Sequence, residues 1–177
     1  MLMISILEVD KKSQHSHAHA LLRECLKKKG VSYTDDTPVI KGRLGKPALA
    51  EHPDIRYNLS HANGIAACFI SDLECGVDCE NVRDFRPNAM KRAFSEKERL
   101  LVESAPEELR SLMFFRLWTL KEAYVKALGE GIVYPLEKAE FILSDNGILS
   151  APEGCRIRQY VLKGGKFVVS VCELLKT

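Results

Sequence analysis

No run of the roughly 18 consecutive apolar residues needed for a membrane-spanning helix occurs in this sequence, so it argues for no span and no membrane partner. It also lacks an excess of charge of either sign. Against 24 Asp and Glu stand 26 Lys and Arg, a net charge of +2. So even a balance excludes a basic tail built to neutralise a nucleic-acid backbone, and no nucleic-acid partner is expected. The cluster Lys27, Lys28 and Lys29 reads as a solvated helix end. Cysteine is present six times, at Cys25, Cys68, Cys75, Cys79, Cys155 and Cys172, but never as a Cys-x-x-Cys pair. That scatter argues against a structural zinc or a disulfide framework and points to a reducing cytoplasm. Cys68, Cys155 and Cys172 lie in or beside strand-like runs, where a thiol behaves as a small hydrophobe. The apolar start, residues 1–9, has no leading basic region and reads as a strand rather than a signal peptide. There is no low-complexity tract and no obvious linker.

What remains is a chain of 177 residues with 46% hydrophobic content, enough to bury a core in one domain or two small packed halves. Leu21, Leu22, Cys25 and Leu26 recur near the helical period and predict a helix over 18–28, ended by Gly30. Residues 35–53, with Pro38, Gly42, Gly45 and Pro47, read as loop. Two strands over 65–70 and 75–80 read as a hairpin turning at 71–74. A helix is expected over 87–94. Ser95 and Glu98 form a capping box for the next one, and a long helix over 107–128 stops at Gly129. Beyond it, strands flank an Asp145-Asn146-Gly147 turn and a Gly164-Gly165 turn. Helices followed by meandering strands predict an α+β fold.

Four groups of residues carry chemistry. In Gly76-Val77-Asp78-Cys79-Glu80, strand alternation points Asp78 and Glu80 one way and Val77 and Cys79 into the core. The two carboxylates start roughly 6.6 Å apart along the strand and can converge on one hard cation such as magnesium. The plain alternative is a solvated strand face. On the long helix, Trp118-Thr119-Leu120-Lys121-Glu122-Ala123-Tyr124-Val125-Lys126 puts Glu122 and Lys126 on one side. They read either as a salt bridge within the helix or, because its surroundings are apolar on most sides, as charges awaiting a metal and phosphates. Tyr57-Asn58-Leu59-Ser60-His61 is either a turn with its own hydrogen bonds or a phosphate donor set. Neighbouring Ser and His point differently, and no Gly-x-Ser-x-Gly elbow supports a serine hydrolase. Gly42-Arg43-Leu44-Gly45-Lys46-Pro47 permits close backbone approach to a ligand, with Arg43 and Lys46 as phosphate partners. His15, His17 and His19 read as a polar helix start, spread around the helix axis rather than gathered on a metal.

Taken in order, Gly45-Lys46-Pro47, Asn58-Leu59-Ser60-His61, Gly76-Val77-Asp78-Cys79-Glu80, Phe94-Ser95-Glu96-Lys97-Glu98 and Trp118-Thr119-Leu120-Lys121-Glu122-Ala123 with Lys126 resemble the 4′-phosphopantetheinyl transferase superfamily. The nearer likeness is to its pseudo-dimeric, surfactin-synthetase-type branch. The likeness is close over about residues 40–135 and loose in the final hairpins. It implies two similar α+β halves, here 1–73 and 74–177, related by a pseudo-twofold, each a small antiparallel sheet packed on helices. Coenzyme A would lie between them. It implies a magnesium-dependent enzyme, with manganese possible, that moves 4′-phosphopantetheine from coenzyme A to a serine of an apo acyl or peptidyl carrier protein and releases adenosine 3′,5′-bisphosphate. Asp78, Glu80 and Glu122 would hold the metal, with Glu122 and Lys126 catalytic. Arg43, Lys46, Ser60, His61, Lys121 and Lys126 would bind coenzyme A. Where relatives typically place basic residues ahead of the first helix's Leu-Leu pair, this chain has the three histidines. The segment 83–92, with Arg86, Lys91 and Arg92 beside Phe85 and Met90, offers a docking face for an acidic carrier. A cytoplasmic monomer is expected. The rival readings are a non-catalytic coenzyme A or carrier-protein binding module of the same fold, and a metal-dependent phosphohydrolase.

Overall fold

The computed structural model describes residues 1–6, 13–144 and 147–176. Two three-stranded antiparallel sheets carry the fold, and the chain builds both in the same order. The first half runs β1 (Leu2–Ile6), α1 (Gln14–Lys28), a small hairpin of β2 (Val39–Lys41) and β3 (Pro47–Leu49), then β4 (Arg56–Ala62) and β5 (Ile65–Ser71). Its sheet is ordered β1-β5-β4. The second half runs β6 (Cys75–Asn81), α2 (Pro87–Ala93), α3 (Glu96–Ser104), α4 (Glu107–Leu128), a small hairpin of β7 (Ile142–Ser144) and β8 (Gly147–Ser150), then β9 (Cys155–Leu162) and β10 (Phe167–Leu174). Its sheet is ordered β6-β10-β9. Strand, helix, hairpin and strand pair thus occur twice, with the last strand inserted between the other two each time. The fold is α+β with two similar sheet-on-helix halves, as the sequence implied. Helices α2 and α3 are additions to the second half.

β5 shows why the halves pack as they do. All seven of its residues are buried, and side chains on a strand alternate between two faces. Cys68 and Ile70 pack against Leu22, Cys25 and Leu26 of α1. Ile65, Ala67 and Phe69 pack against Val77 of β6 and Val169 of β10, so the two sheets share a core. On the far side of the second sheet, α4 buries Phe114, Phe115, Leu117 and Leu120 with Phe141 and Val168. It meets β6 without side chains between them at one point: a Cβ on Gly76 would lie 2.1 Å from the Ala123 carbonyl oxygen and 2.5 Å from the Ala127 amide nitrogen. Only glycine permits that approach.

Several expectations from the sequence hold. Ser95 caps α3 by accepting from the Glu98 amide while the Glu98 carboxylate accepts from the Ser95 amide, a capping box. α4 spans the expected residues and ends at Gly129, whose φ of 75° continues past the helix as only glycine does easily. Others do not hold. β5 and β6 form no hairpin: β1 and β4 occupy both edges of β5, and β6 pairs with β10, so residues 72–74 carry the chain from one sheet to the other. The hairpin of this region is β4–β5, turned by Asn63-Gly64, a signal present in the sequence. α1 begins at Gln14 and takes in all three histidines. The Gly164-Gly165 turn is four residues long, with Lys163 also at positive φ. Residues 7–9 of the expected first strand, and Asp145 and Asn146 of the expected turn, lie outside the described residues. No helix among the described residues is long and apolar enough to cross a membrane.

Candidate active site

The contact at Gly76 fixes which residues share a cleft. Val77 and Cys79 join the core between the sheets, which leaves Gly76, Asp78 and Glu80 on the face of β6 that meets α4. Lys126, on the last turn of α4, donates to Asp78 Oδ1 at 2.6 Å and to the Val77 carbonyl at 3.2 Å. β4 reaches the same place from the other half. Asn58 Oδ1 accepts from the Val77 amide at 2.9 Å. Ser60 Oγ donates to Asp78 Oδ1 at 2.9 Å and accepts from the Cys79 amide at 3.2 Å and from Lys126 at 3.3 Å. The serine hydroxyl therefore uses its one proton and both lone pairs. Side chains, rather than a backbone ladder, stitch β4 to β6 here.

Burial raises the Glu122 carboxyl above its ordinary range, and the charges of Asp78 and Glu80 push it the same way against the pull of Lys126. Glu80 is raised likewise, first by burial and then by Asp78, although Arg83 opposes the shift. The three acids thus feel one another. Glu122 is half-buried and makes no hydrogen bond or ion pair among the described residues. Burial would lower the Lys126 ammonium, but Asp78 and Glu122 more than offset it, and its pKa is raised. The acids nevertheless do not form a closed metal cage: no three His, Cys, Asp or Glu side chains among the described residues stand close enough to clasp an ion. Side-chain cations hold two of them instead, Lys126 on Asp78 and Arg83 on Glu80 at 2.7 Å. The donor chemistry still fits a hard divalent ion, because all three are carboxylates and Asp78 Oδ2 is buried without a hydrogen-bond partner.

Other expected site residues are placed differently. Lys121 is not in the cleft. Its ammonium is wholly buried, paired with Glu98 at 2.7 Å and donating to the carbonyls of Leu136 and Ala139, so it has nothing left for coenzyme A. Lys46 donates to Glu74 at 2.8 Å and to the Ala127 carbonyl at 2.7 Å, tying its loop to the end of α4. Arg43 is exposed on the same loop. Ser60 and His61 turn to opposite faces of β4, Ser60 to the acids and His61 to His15 of α1, their ring centroids 5.9 Å apart. Met90 is buried in the core and cannot anchor a partner, whereas Arg86, Lys91 and Arg92 are exposed.

Two residues to which the sequence reading gave no place among the acids complete the site. Asn58 sits two positions before Ser60, a spacing that predicts the shared face once β4 is known to be a strand. Arg83 follows Glu80 by three positions and lies over the Phe115 ring at 4.7 Å. With Phe85, Phe114 and Trp118 it walls a cavity of about 330 Å3 that opens beside Glu80.

Known proteins resemble this chain in sequence and in fold. The sequence profile of the 4′-phosphopantetheinyl transferase superfamily matches residues 74–172. A 4′-phosphopantetheinyl transferase of Bacillus subtilis is 31% identical over 121 residues, covering 66% of this chain and 54% of the relative. The 4′-phosphopantetheinyl transferase HetI of Nostoc sp. is 38% identical over 106 residues, covering 56% and 44%. The chain therefore spans about half the length of the curated relatives it matches. A holo-(acyl-carrier-protein) synthase of Bacillus anthracis, solved in complex with coenzyme A (3′,5′-ADP), superposes with a TM-score of 0.50 at 20% identity, over 59% of this chain and 97% of that one.

Proposed function

The chain belongs to the 4′-phosphopantetheinyl transferase superfamily, and from that membership we propose that it transfers the 4′-phosphopantetheine arm of coenzyme A to a serine of an apo acyl or peptidyl carrier protein, releasing adenosine 3′,5′-bisphosphate. One observation carries the reading: the half-buried, unpartnered Glu122 carboxylate faces the field of Asp78 and Glu80 beside a lysine ammonium.

In the reaction the serine oxygen bonds to the phosphorus that carries the pantetheine arm, and the bond from that phosphorus to the bridging oxygen breaks. The electron pair leaves on the adenosine bisphosphate. Glu122, whose affinity for a proton is raised by burial and by the neighbouring acids, takes the serine proton directly or through a water. Lys126 stays protonated because Asp78 and Glu122 hold it so, and it faces the charge that gathers on the departing phosphate. Ser60 fixes the positions of Asp78 and Lys126. Asp78, Glu80 and Glu122 would hold a divalent ion, magnesium or manganese, which when bound supplies positive charge against the pyrophosphate. Lys46, His61 and Arg43 lie toward the nucleotide end. The rest is positioning, as in other phosphoryl transfers.

The cavity walled by Phe85, Phe114 and Trp118 opens at the acids and suits the apolar edge of a carrier helix, with Arg86, Lys91 and Arg92 available to its acidic groups. The repeated order of elements within one chain supports the pseudo-dimeric, surfactin-synthetase-type branch, with halves 1–73 and 74–177 and a monomer as the working unit. Six free thiols suit the cytoplasm. The test is to mix the protein with coenzyme A, magnesium and a panel of apo carriers. Intact-mass spectrometry should show each accepted carrier heavier by one phosphopantetheine. Coenzyme A bound with no carrier modified would leave the binding-module reading in its place.

A further inference from the structure

α4 carries both Glu122 and Lys126, and Lys126 stands on its final turn, just before the helix stops at Leu128. The last carbonyls of a helix find no amide within it to bond, and such ends fray. The Gly129 amide takes the Val125 carbonyl. A cation near the end would complement the helix dipole. Lys126, the basic residue of that turn, is directed instead to Asp78 and the Val77 carbonyl. The cation at the helix end comes from the other half of the chain. Lys46, in the loop of the β2–β3 hairpin, donates to the Ala127 carbonyl at 2.7 Å and to Glu74 Oε2 at 2.8 Å.

We infer that Lys46 and Glu74 are positioning residues for the transfer: they form a clamp that keeps the last turn of α4 wound, and so keeps the Lys126 ammonium at Asp78. The inference rests on the transfer reading given above. It takes Lys46 from the nucleotide, to which the sequence reading gave it, and assigns it to the helix.

Each part of the clamp is fixed in place. The Gly42 amide donates to the Lys46 carbonyl and the Gly45 amide to the Gly42 carbonyl, both at 2.9 Å, which closes the loop tightly around Gly45 at a φ of 89°. The Lys46 stem lies across the end of the helix, where a Cβ on Gly129 would stand 3.2 Å from Lys46 Cδ. Glu74 has both carboxylate oxygens engaged, Oε2 by Lys46 and Oε1 by Arg56 of β4 at 3.0 Å. Its backbone is held too, because its carbonyl accepts from the Leu174 amide at 2.8 Å. Glu74 is thus a post on the crossing between the two sheets, and the Lys46 side chain tied to it is only 17% exposed.

The clamp and the contact at Gly76 do different things. Gly76 sets how near α4 lies to β6, touching it at the Ala123 carbonyl and the Ala127 amide. It offers no partner to the Ala127 carbonyl, and Lys46 does. Fraying that passes Ala127 reaches Lys126 next. A direct phosphate ligand would behave otherwise. An ammonium already donating to a carboxylate and a carbonyl has one proton left to give. Freed from Glu74, a phosphate ligand would grip coenzyme A better, whereas a clamp would slacken.

Steady-state carrier modification, combined with hydrogen exchange at residues 125–129, separates the two roles. Lys46→Met should lower kcat about tenfold, as displacement of a catalytic group does, while the KM for coenzyme A moves by less than about twofold. Glu74→Gln should lower kcat about threefold, because Lys46 keeps the Ala127 carbonyl and loses its second anchor. The double variant should match Lys46→Met alone, since both changes release one device. Exchange at 125–129 should quicken severalfold in every variant. A coenzyme A KM that rises in Lys46→Met while kcat holds, or tighter coenzyme A binding by Glu74→Gln, would make Lys46 a phosphate ligand and overturn the clamp. Unchanged exchange would overturn it as well. If Lys46→Met does not fold, Glu74→Gln, at a partly exposed carboxylate, decides by the same readouts. Should the unaltered protein modify no carrier, the transfer reading falls, and the exchange rates alone keep or overturn the clamp.

Discussion

Two lysines five positions apart on α4 meet carboxylates in different ways. The Lys121–Glu98 pair is wholly buried, with side-chain exposure of 0% on both sides, and every polar atom in it is used. Glu98 accepts from Lys121, from the Ser95 amide and from the Phe141 amide, and Lys121 also donates to two carbonyls. The Lys126–Asp78 pair is about as short, at 2.6 Å, but keeps 29% and 8% exposure. It leaves Asp78 Oδ2 without a partner and has two further acids beside it. Completeness, not distance, separates them. A satisfied buried pair holds one conformation, and removing either member strands a charge. An incomplete pair at a cleft has capacity left for an arriving ligand, which is what the proposed transfer would use.

The contrast can be broken most sharply at Glu122. Glu122→Gln keeps the side chain's shape and removes a charge that no hydrogen bond or ion pair among the described residues engages. Transfer measured by carrier mass shift should fall about 1,000-fold, as for loss of a preorganised charged group in other active sites. The melting temperature should hold or rise slightly, because the acids no longer repel. A variant that unfolds would place Glu122 with the structural pair. At the other pair the signs reverse. Glu98→Ala should lower unfolding stability by about 3–5 kcal/mol, since Lys121 is left buried and uncompensated. Coenzyme A affinity per folded molecule should be unchanged, and denaturant unfolding with a binding titration checks both. Replacing the pair together, Glu98→Leu with Lys121→Met, should recover much of that loss.

Gly76→Ala tests the frame common to both pairs. The new methyl collides with backbone on α4, so stability should fall by roughly 1–3 kcal/mol. Transfer should fall too, because α4 must retreat from Asp78. The smallest effect belongs to charges without partners among the described residues. Lys91→Glu with Arg92→Glu should raise the carrier KM about tenfold and leave coenzyme A binding as it was. Unchanged carrier kinetics would remove that face from the docking surface.

These pairs also show what a sequence does and does not reveal. Asp78 and Glu80 were legible because strand alternation alone puts them on one face. The capping box of α3 and the end of α4 at Gly129 were legible because each is a local rule. Lys121 and Lys126 were not separable in that way. Both sit in one motif, yet five positions turn a helix by roughly 140° beyond a full revolution, so they face different neighbours. Which neighbour is a long-range fact: Glu98 reaches Lys121 only because α3 packs back on α4. For the same reason β5 and β6 read as a hairpin. Proximity in the chain favours pairing, but β1 and β4 had already taken both edges of β5. His15 and His61 lie side by side only because α1 begins at Gln14 and packs over β4.

The bare contact at Gly76 has a consequence for how this protein can change. Main chain rests on main chain there, so the gauge between the strand acids and the helix acid is not set by any side chain. Substitutions among Phe114, Phe141 and their neighbours can loosen or refill the interior and leave that gauge alone. The proposed reaction centre is therefore insulated from drift in the hydrophobic interior. Sequences of this kind can diverge widely around one small residue that has no substitute.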